Sequence, residues 1–187
     1  MAGLVLGALT AFGQGQLPDS FRSVANSAGS WSLVAFLLAL LGRTQLRAAI
    51  IGALSLWALL AGYVGYNLAV DVPSASSTVL FWVAAGLVAG PILGTAAFFV
   101  RTGTELRSVI GTAVISGVLI GEGVYGLTVI ADTTSPVYWQ VQIMVGVVLA
   151  GVVGRQRRWS GRDAVLAILL IAVVAVVFRF GYALVGA

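Results

Sequence analysis

No cysteine and no histidine occurs among the 187 residues, and all ten basic residues are arginine. Without Cys there is no disulfide, no thiolate nucleophile and no cysteine-held iron–sulfur cluster. Without His there is no His-dependent acid–base pair and no imidazole ligand for zinc, copper or haem. Without Lys a retinal or pyridoxal Schiff base is excluded. Charge is scarce as well: Asp, Glu and Arg make up 9% of the chain, against about 25% in a soluble domain. So little charge cannot cover a water-facing surface, which excludes a soluble fold. What remains is 60% hydrophobic and carries 24 glycines. That composition predicts an all-α, polytopic membrane helix bundle.

The formal net charge of +4 would suggest nucleic acid in a soluble chain. Here the arginines stand between apolar runs of membrane-spanning length, so they read as orientation signals and no nucleic-acid partner is expected. A span needs roughly 20 apolar residues. That ruler predicts seven helices, near 2–17, 25–42, 47–69, 78–100, 107–130, 135–154 and 163–185. They use almost the whole sequence, which makes residues 1–187 a single transmembrane domain. A cleaved signal peptide competes for the first run, although no positive segment precedes it. Arg43 and Arg47, Arg101 and Arg107, then Arg155, Arg157, Arg158 and Arg162 fall in alternate connections, while Asp19, Asp71 and Asp132 occupy the others. The positive-inside rule then sets the N-terminus inside, the C-terminus outside and the location as a bacterial inner, or cell, membrane.

A period of just under 60 residues also shows. Arg43-Thr44 with Leu46-Arg47 returns as Arg101-Thr102 with Leu106-Arg107; Trp31, Trp82 and Trp139 and then Tyr66, Tyr125 and Tyr182 follow the same spacing. Three helical hairpins of one orientation, preceded by an extra helix, would give this pattern. The interfacial habits of Trp, Tyr and Arg give it equally.

Two ionisable groups interrupt predicted helices: Glu122 in the fifth and Arg179 in the seventh. A mid-helix arginine costs about 2.5–3.5 kcal/mol on the insertion scale, so such groups usually face protein or a cavity. At a 1.5 Å rise both lie roughly 22–24 Å from the cytoplasmic end. The hairpin alignment makes them equivalent, with Tyr63 as the third member. They predict an outward-facing polar pocket built from Tyr63, Glu122 and Arg179, with Tyr66, Asn67, Tyr125 and Tyr182 near its rim. A Glu122–Arg179 ion pair that only fixes packing, or Arg179 snorkelling to headgroups, would leave the same trace. The polar segment before Trp31, with Gln14, Gln16 and Asn26, reads as a lid over that pocket, or as a plain connector or short interfacial helix.

Gly121, Gly123 and Gly126 have the spacing of a dinucleotide fingerprint, but that motif needs a preceding strand and a wet helix terminus. Inside an apolar helix the glycines instead allow close helix approach. Small residues four apart recur at Gly86, Gly90 and Gly94, at Gly117 and Gly121, and at Gly146, Ala150 and Gly154, as expected of helices packing in lipid. Gly3, Gly7 and Ala11 lie on a peripheral helix and present such a ridge to a membrane protein partner. Pro91 predicts a kink beside Gly90, either a hinge or static packing.

The run Gly13-Gln14-Gly15-Gln16-Leu17-Pro18, then Ala25-Asn26-Ser27 with Trp31, Gly90-Pro91 and Glu122-Gly123, resembles an uncharacterised family of small actinobacterial multi-pass membrane proteins. The resemblance implies location and fold but no activity. In architecture the chain is also similar to the S components of energy-coupling-factor transporters, which have six helices. That likeness implies a solute site near the outer face beneath the first loop, and docking through small residues of the first helix.

The expected function is therefore that of a small transport or solute-binding subunit with its pocket in the outer half of the bundle. The alternative is a non-catalytic accessory or assembly protein that packs on a partner through glycine-rich faces. Catalysis is not expected, since an acid-based mechanism wants paired carboxylates and only Glu122 lies within a helix. No cofactor and no metal is expected; the partners are the bilayer and a small solute.

Overall fold

The computed structural model describes residues 1–72 and 74–184, so position 185 of the last predicted span lies outside it. The elements are α1 (Ala2–Gln16), α2 (Asp19–Arg22), a 3₁₀ turn (Ser23–Asn26), α3 (Ala28–Ala39), α4 (Gln45–Ala69), α5 (Ser76–Thr102), α6 (Glu105–Thr128), α7 (Pro136–Gln156) and α8 (Gly161–Leu184). All regular structure among the described residues is helical. Five helices, α4 to α8, are long and apolar enough to cross a membrane. The expected seven spans are not all of that length, because α1 has 15 residues and α3 has 12, short of the roughly 20 needed.

Local sequence explains the short elements. Pro18 follows α1 and cannot continue it. Ser27 has extended backbone, and its hydroxyl accepts from the Ser30 N–H, which makes it an N-cap and starts α3 three residues later than predicted. Thr44 and Thr104 cap α4 and α6 in the same way, and Pro136 opens α7, where its missing N–H costs nothing. The segment expected as a lid or connector is thus two short helical turns leading into α3.

Close backbone contact, not apolar burial, distinguishes the packing. A Cβ at Gly7 would collide with the Leu59 carbonyl, one at Gly52 with that of Gly90, and one at Gly94 with that of Ala48. Gly117 and Gly121 receive Val174 and Ala175 of α8. These contacts seat α1 and α5 on α4, and α8 on α6, as small-residue ridges do in lipid. The ridge on α1 is accordingly spent inside the chain: Gly3, Gly7 and Ala11 are buried, and Gly62 reciprocates against Leu4. The expectation that this ridge faces a partner is corrected, for α4 already covers it. α5 runs unbroken through Pro91, with Gly90 against Ala53.

α6 is the hub, in contact with α3, α5, α7 and α8. Of its most apolar stretch 72% is buried, against 6% for α8. Short connections leave the long helices antiparallel in sequence order. Arg43, Arg101, Arg107, Arg155 and their neighbours therefore mark one end, while the α4–α5 and α6–α7 connections mark an arginine-poor end. The three expected hairpins are unequal, since α3 is less than half as long as α5, with 12 residues against 27.

Candidate functional site

α3 begins inside the protein, and that places an unusual demand on its first turn. The opening N–H groups of a helix have no intrahelical acceptor, and those buried in protein need one from another element. Glu122 supplies the acceptors. Its Oε1 accepts from the Ala28 N–H at 2.8 Å, and its Oε2 accepts from the Gly29 N–H at 2.7 Å. The Ser27 hydroxyl donates to Oε2 at 2.6 Å, and the Gln142 side-chain amide donates to it at 2.8 Å. In each of these contacts the carboxylate can accept. The side chain is 1% exposed.

A second layer fixes the first. The Gln142 amide also donates to the Leu119 carbonyl at 3.1 Å, which sets which way the amide faces. Its Oε1 accepts from the Tyr138 hydroxyl and lies 2.9 Å from Ser27 Oγ. Gly29 is required at its position, because a Cβ there would stand 2.6 Å from Glu122 Oε2. Negative charge at a helix N-terminus also opposes the helix dipole favourably. The carboxylate therefore occupies the place that an anionic ligand takes at other buried helix starts.

Beside this knot lies a cavity of about 380 Å³, within the usual size of small-molecule sites. Its walls come from α3, α4, α5 and α8, with Trp31, Tyr63, Trp82, Phe178 and Tyr182 as the aromatic members. Ser27 and Ala28 belong to both features: they line the cavity and bond Glu122. Among the described residues, none that lines the cavity carries a formal charge.

The predicted site residues divide between these places. Tyr63, Asn67 and Tyr182 line the cavity, and so do Gln14 and Asn26 of the expected lid; Tyr63 donates to the Gln14 side-chain carbonyl at 3.0 Å. Gln16 is exposed and outside it. Tyr66 packs edge-on against Phe12, and Tyr125 against Tyr182. Glu122 and Arg179 are not brought together. The one ion pair among the described residues joins Arg22 to Asp19. Arg179 instead lays its guanidinium 4.8 Å from the centroid of the Phe180 ring. The reason is the face of α6 that each partner uses: Gly117 and Gly121 seat α8, whereas Glu122 points to α3 and α7. Arg179 then falls one helical turn beyond the contact of Ala175 with Gly121.

A model of a family of unknown function, DUF6518, matches residues 1–187, the whole chain. The chain belongs to that family. No curated protein and no solved structure matches it.

Family membership assigns no chemistry, so what the arrangement can do rests on its geometry. The knot can hold α3 in place. The cavity can hold an uncharged molecule between aromatic faces. Among the described residues no group of three or more Asp or Glu side chains offers a metal its ligands. Sequence reasoning missed Ser27, Gln142 and Tyr138 as the companions of Glu122, and Trp31, Trp82 and Phe178 as walls. Two signals were present: Ser27 opens an N-cap pattern before an apolar run, and Gln142 interrupts the apolar face of α7.

Proposed function

We propose that the chain is a small transport or solute-binding subunit of a cell membrane, with its arginine-rich end cytoplasmic and its cavity toward the exterior. The observation that carries this reading is the uncharged cavity of about 380 Å³ walled by Trp31, Tyr63, Trp82, Phe178 and Tyr182. Aromatic faces with a few hydroxyl and amide groups are the usual make-up of a small-molecule site. The chemistry is binding and gating, without bond breaking. In this reading Glu122 is a positioning residue: it acts on the cavity through Ser27 and Ala28, and it does not touch the solute. A change at Ser27 on binding is transmitted to Gln142 and α7 through the same carboxylate.

Native mass spectrometry of gently extracted protein tests the proposal. Wild-type protein is expected to retain a small molecule that Ala85→Phe, in the cavity wall, displaces. Thr78→Trp, on the exposed side of the lining, provides a second block outside the packed core. An empty wild-type protein would overturn the reading, as would an occupant that neither variant displaces. The competing reading as an accessory protein draws on α8, whose outward face is open along its length. A stoichiometric protein partner retained without any solute would favour it.

A further inference from the structure

We infer that the cavity takes an uncharged amphiphile with one alkyl chain and a hydroxyl-bearing head group, admitted from the side between α5 and α8. The inference rests on the solute-binding reading and names the class of solute. Four observations converge on it.

The first is the absence of formal charge around the whole lining. Glu122, the nearest buried charge, is enclosed by its four donors and does not line the cavity. An ionic ligand would surrender its hydration with nothing to replace it.

The second is the gradient along the walls. Asn67, Ser74 and Thr78 stand at the arginine-poor end, whereas Leu56 and Ala89 line the deep end. On α5 the lining runs from Thr78 to Ala89, roughly 17 Å of helix at 1.5 Å per residue. That shape is long, polar at one end and apolar at the other. Asn67 is 7% exposed, and among the described residues its side-chain amide donates one long bond, 3.4 Å to Ser74 Oγ, so hydrogen-bonding capacity remains at the head end.

The third is Trp31. It lines the cavity beside Tyr63, with the ring centroids 5.7 Å apart. On α4, Tyr63 lies between Asn67 and Leu56, so the two rings form a wall between the polar and the apolar end against which an alkyl chain can lie.

The fourth is the open flank. Phe178 and Tyr182 of α8 line the cavity, yet α8 packs chiefly on α6, and any contact it makes with α3, α4 or α5 is marginal. An amphiphile already dissolved in the bilayer can pass that flank without crossing water.

The test uses full-length protein in phosphatidylcholine nanodiscs, offered in turn a monoacylglycerol with a twelve-carbon chain, the fatty acid of that chain and the corresponding alkylamine. Native mass spectrometry counts the adducts. The monoacylglycerol is expected to bind saturably and the two charged analogues at least tenfold more weakly. Asn67→Ala, which removes the amide at the head end, is expected to weaken binding about fivefold, the ordinary worth of one neutral hydrogen bond. Equal or better binding of the acid or the amine overturns the inference and leaves the solute-binding reading intact. So does failure of all three when gentle extraction still yields another occupant that Ala85→Phe displaces. Unchanged binding in Asn67→Ala overturns the placement of the hydroxyl-bearing head at that end. If extraction yields no occupant and none of the three binds, both the inference and the reading beneath it fail.

Discussion

The two ends of α3 face the same electrostatic problem and solve it in opposite surroundings. At its start, four donors converge on the buried carboxylate of Glu122. At its finish, the exposed side chain of Arg101 donates to the carbonyls of Leu40 and Gly42. A negative group at the N-terminus and a positive one at the C-terminus both complement the helix dipole. One clamp, however, is sealed in protein where Coulomb forces are strong, and the other is bathed by solvent that screens it. Both come from other helices, α6 and α5, so a helix of only 12 residues is held by its neighbours at each end. The lesson is that the weight of a charge here depends on where its partner donors have been led, not on the charge itself.

Removing the buried clamp should have the largest effect. Glu122→Ala leaves the Ala28 and Gly29 N–H groups and one Gln142 amide hydrogen without their acceptor, while the Ser27 hydroxyl keeps Gln142 Oε1 at 2.9 Å. Each orphaned buried donor costs about 1–3 kcal/mol, and local relaxation recovers part of the sum. A loss of about 3–5 kcal/mol is expected, read as a shift in the SDS-unfolding midpoint in mixed micelles. Glu122→Gln keeps the shape but turns one accepting oxygen into a donor, so it should fall between wild type and alanine. A loss below about 1 kcal/mol for Glu122→Ala would break the comparison, because the two ends of α3 would then be equivalent.

The contrast also explains what the sequence made legible. The poverty of charge and the lengths of the apolar runs were enough for a membrane helix bundle. A lone carboxylate inside an apolar helix was enough to turn Glu122 toward protein, but it was expected in the wall of a polar pocket, and Glu122 does not line the cavity. The identity of the partners was not, because they are neutral: Ser27 and the N–H groups of Ala28 and Gly29 sit in what reads as a polar loop. Charge pairing made Arg179 the obvious candidate. A carboxylate can be satisfied by backbone donors, however, and these leave no mark in composition. The start of α3 was displaced for a related reason. Hydropathy measures where a run is apolar, whereas the cap at Ser27 decides where the helix begins. The glycine ridges announced close approach, yet which ridge meets which helix depends on the assembled bundle. Hence the α1 ridge, taken for a partner surface, belongs to α4. Cavity walls such as Phe178 and Trp82 were invisible because no periodicity separates a lining aromatic from a lipid-facing one.

Ser27→Ala sharpens the comparison from inside the buried clamp. The hydroxyl caps α3 by accepting from the Ser30 N–H at 3.1 Å and donates to Glu122 at 2.6 Å. The variant keeps both backbone bonds to the carboxylate, so it should lose about 1–2 kcal/mol, the cost of a cap and a charge-assisted bond. Ser27→Thr retains the hydroxyl and should restore most of the loss if the neighbours admit the added methyl. A deficit as large as that of Glu122→Ala would mean that Ser27, and not the carboxylate, organises the start of the helix.

The smallest effect belongs to the exposed end, and there the dependence on salt carries more information than the size. Arg101→Ala removes the positive group from the carbonyls just past the end of α3 but leaves those carbonyls within reach of water, so the loss should be about 0.5–1 kcal/mol. Arg101→Lys keeps the charge without the planar fork that reaches Leu40 and Gly42 together, and should lose about half as much. Raising the salt concentration should shrink the difference between Arg101→Ala and wild type, since an exposed charge is screened over a few ångströms. The same salt should leave the deficit of Glu122→Ala unchanged, because its donors lie within the protein. If both deficits fell together, Glu122 would be solvated, and the difference between the two ends of α3 would be one of degree only.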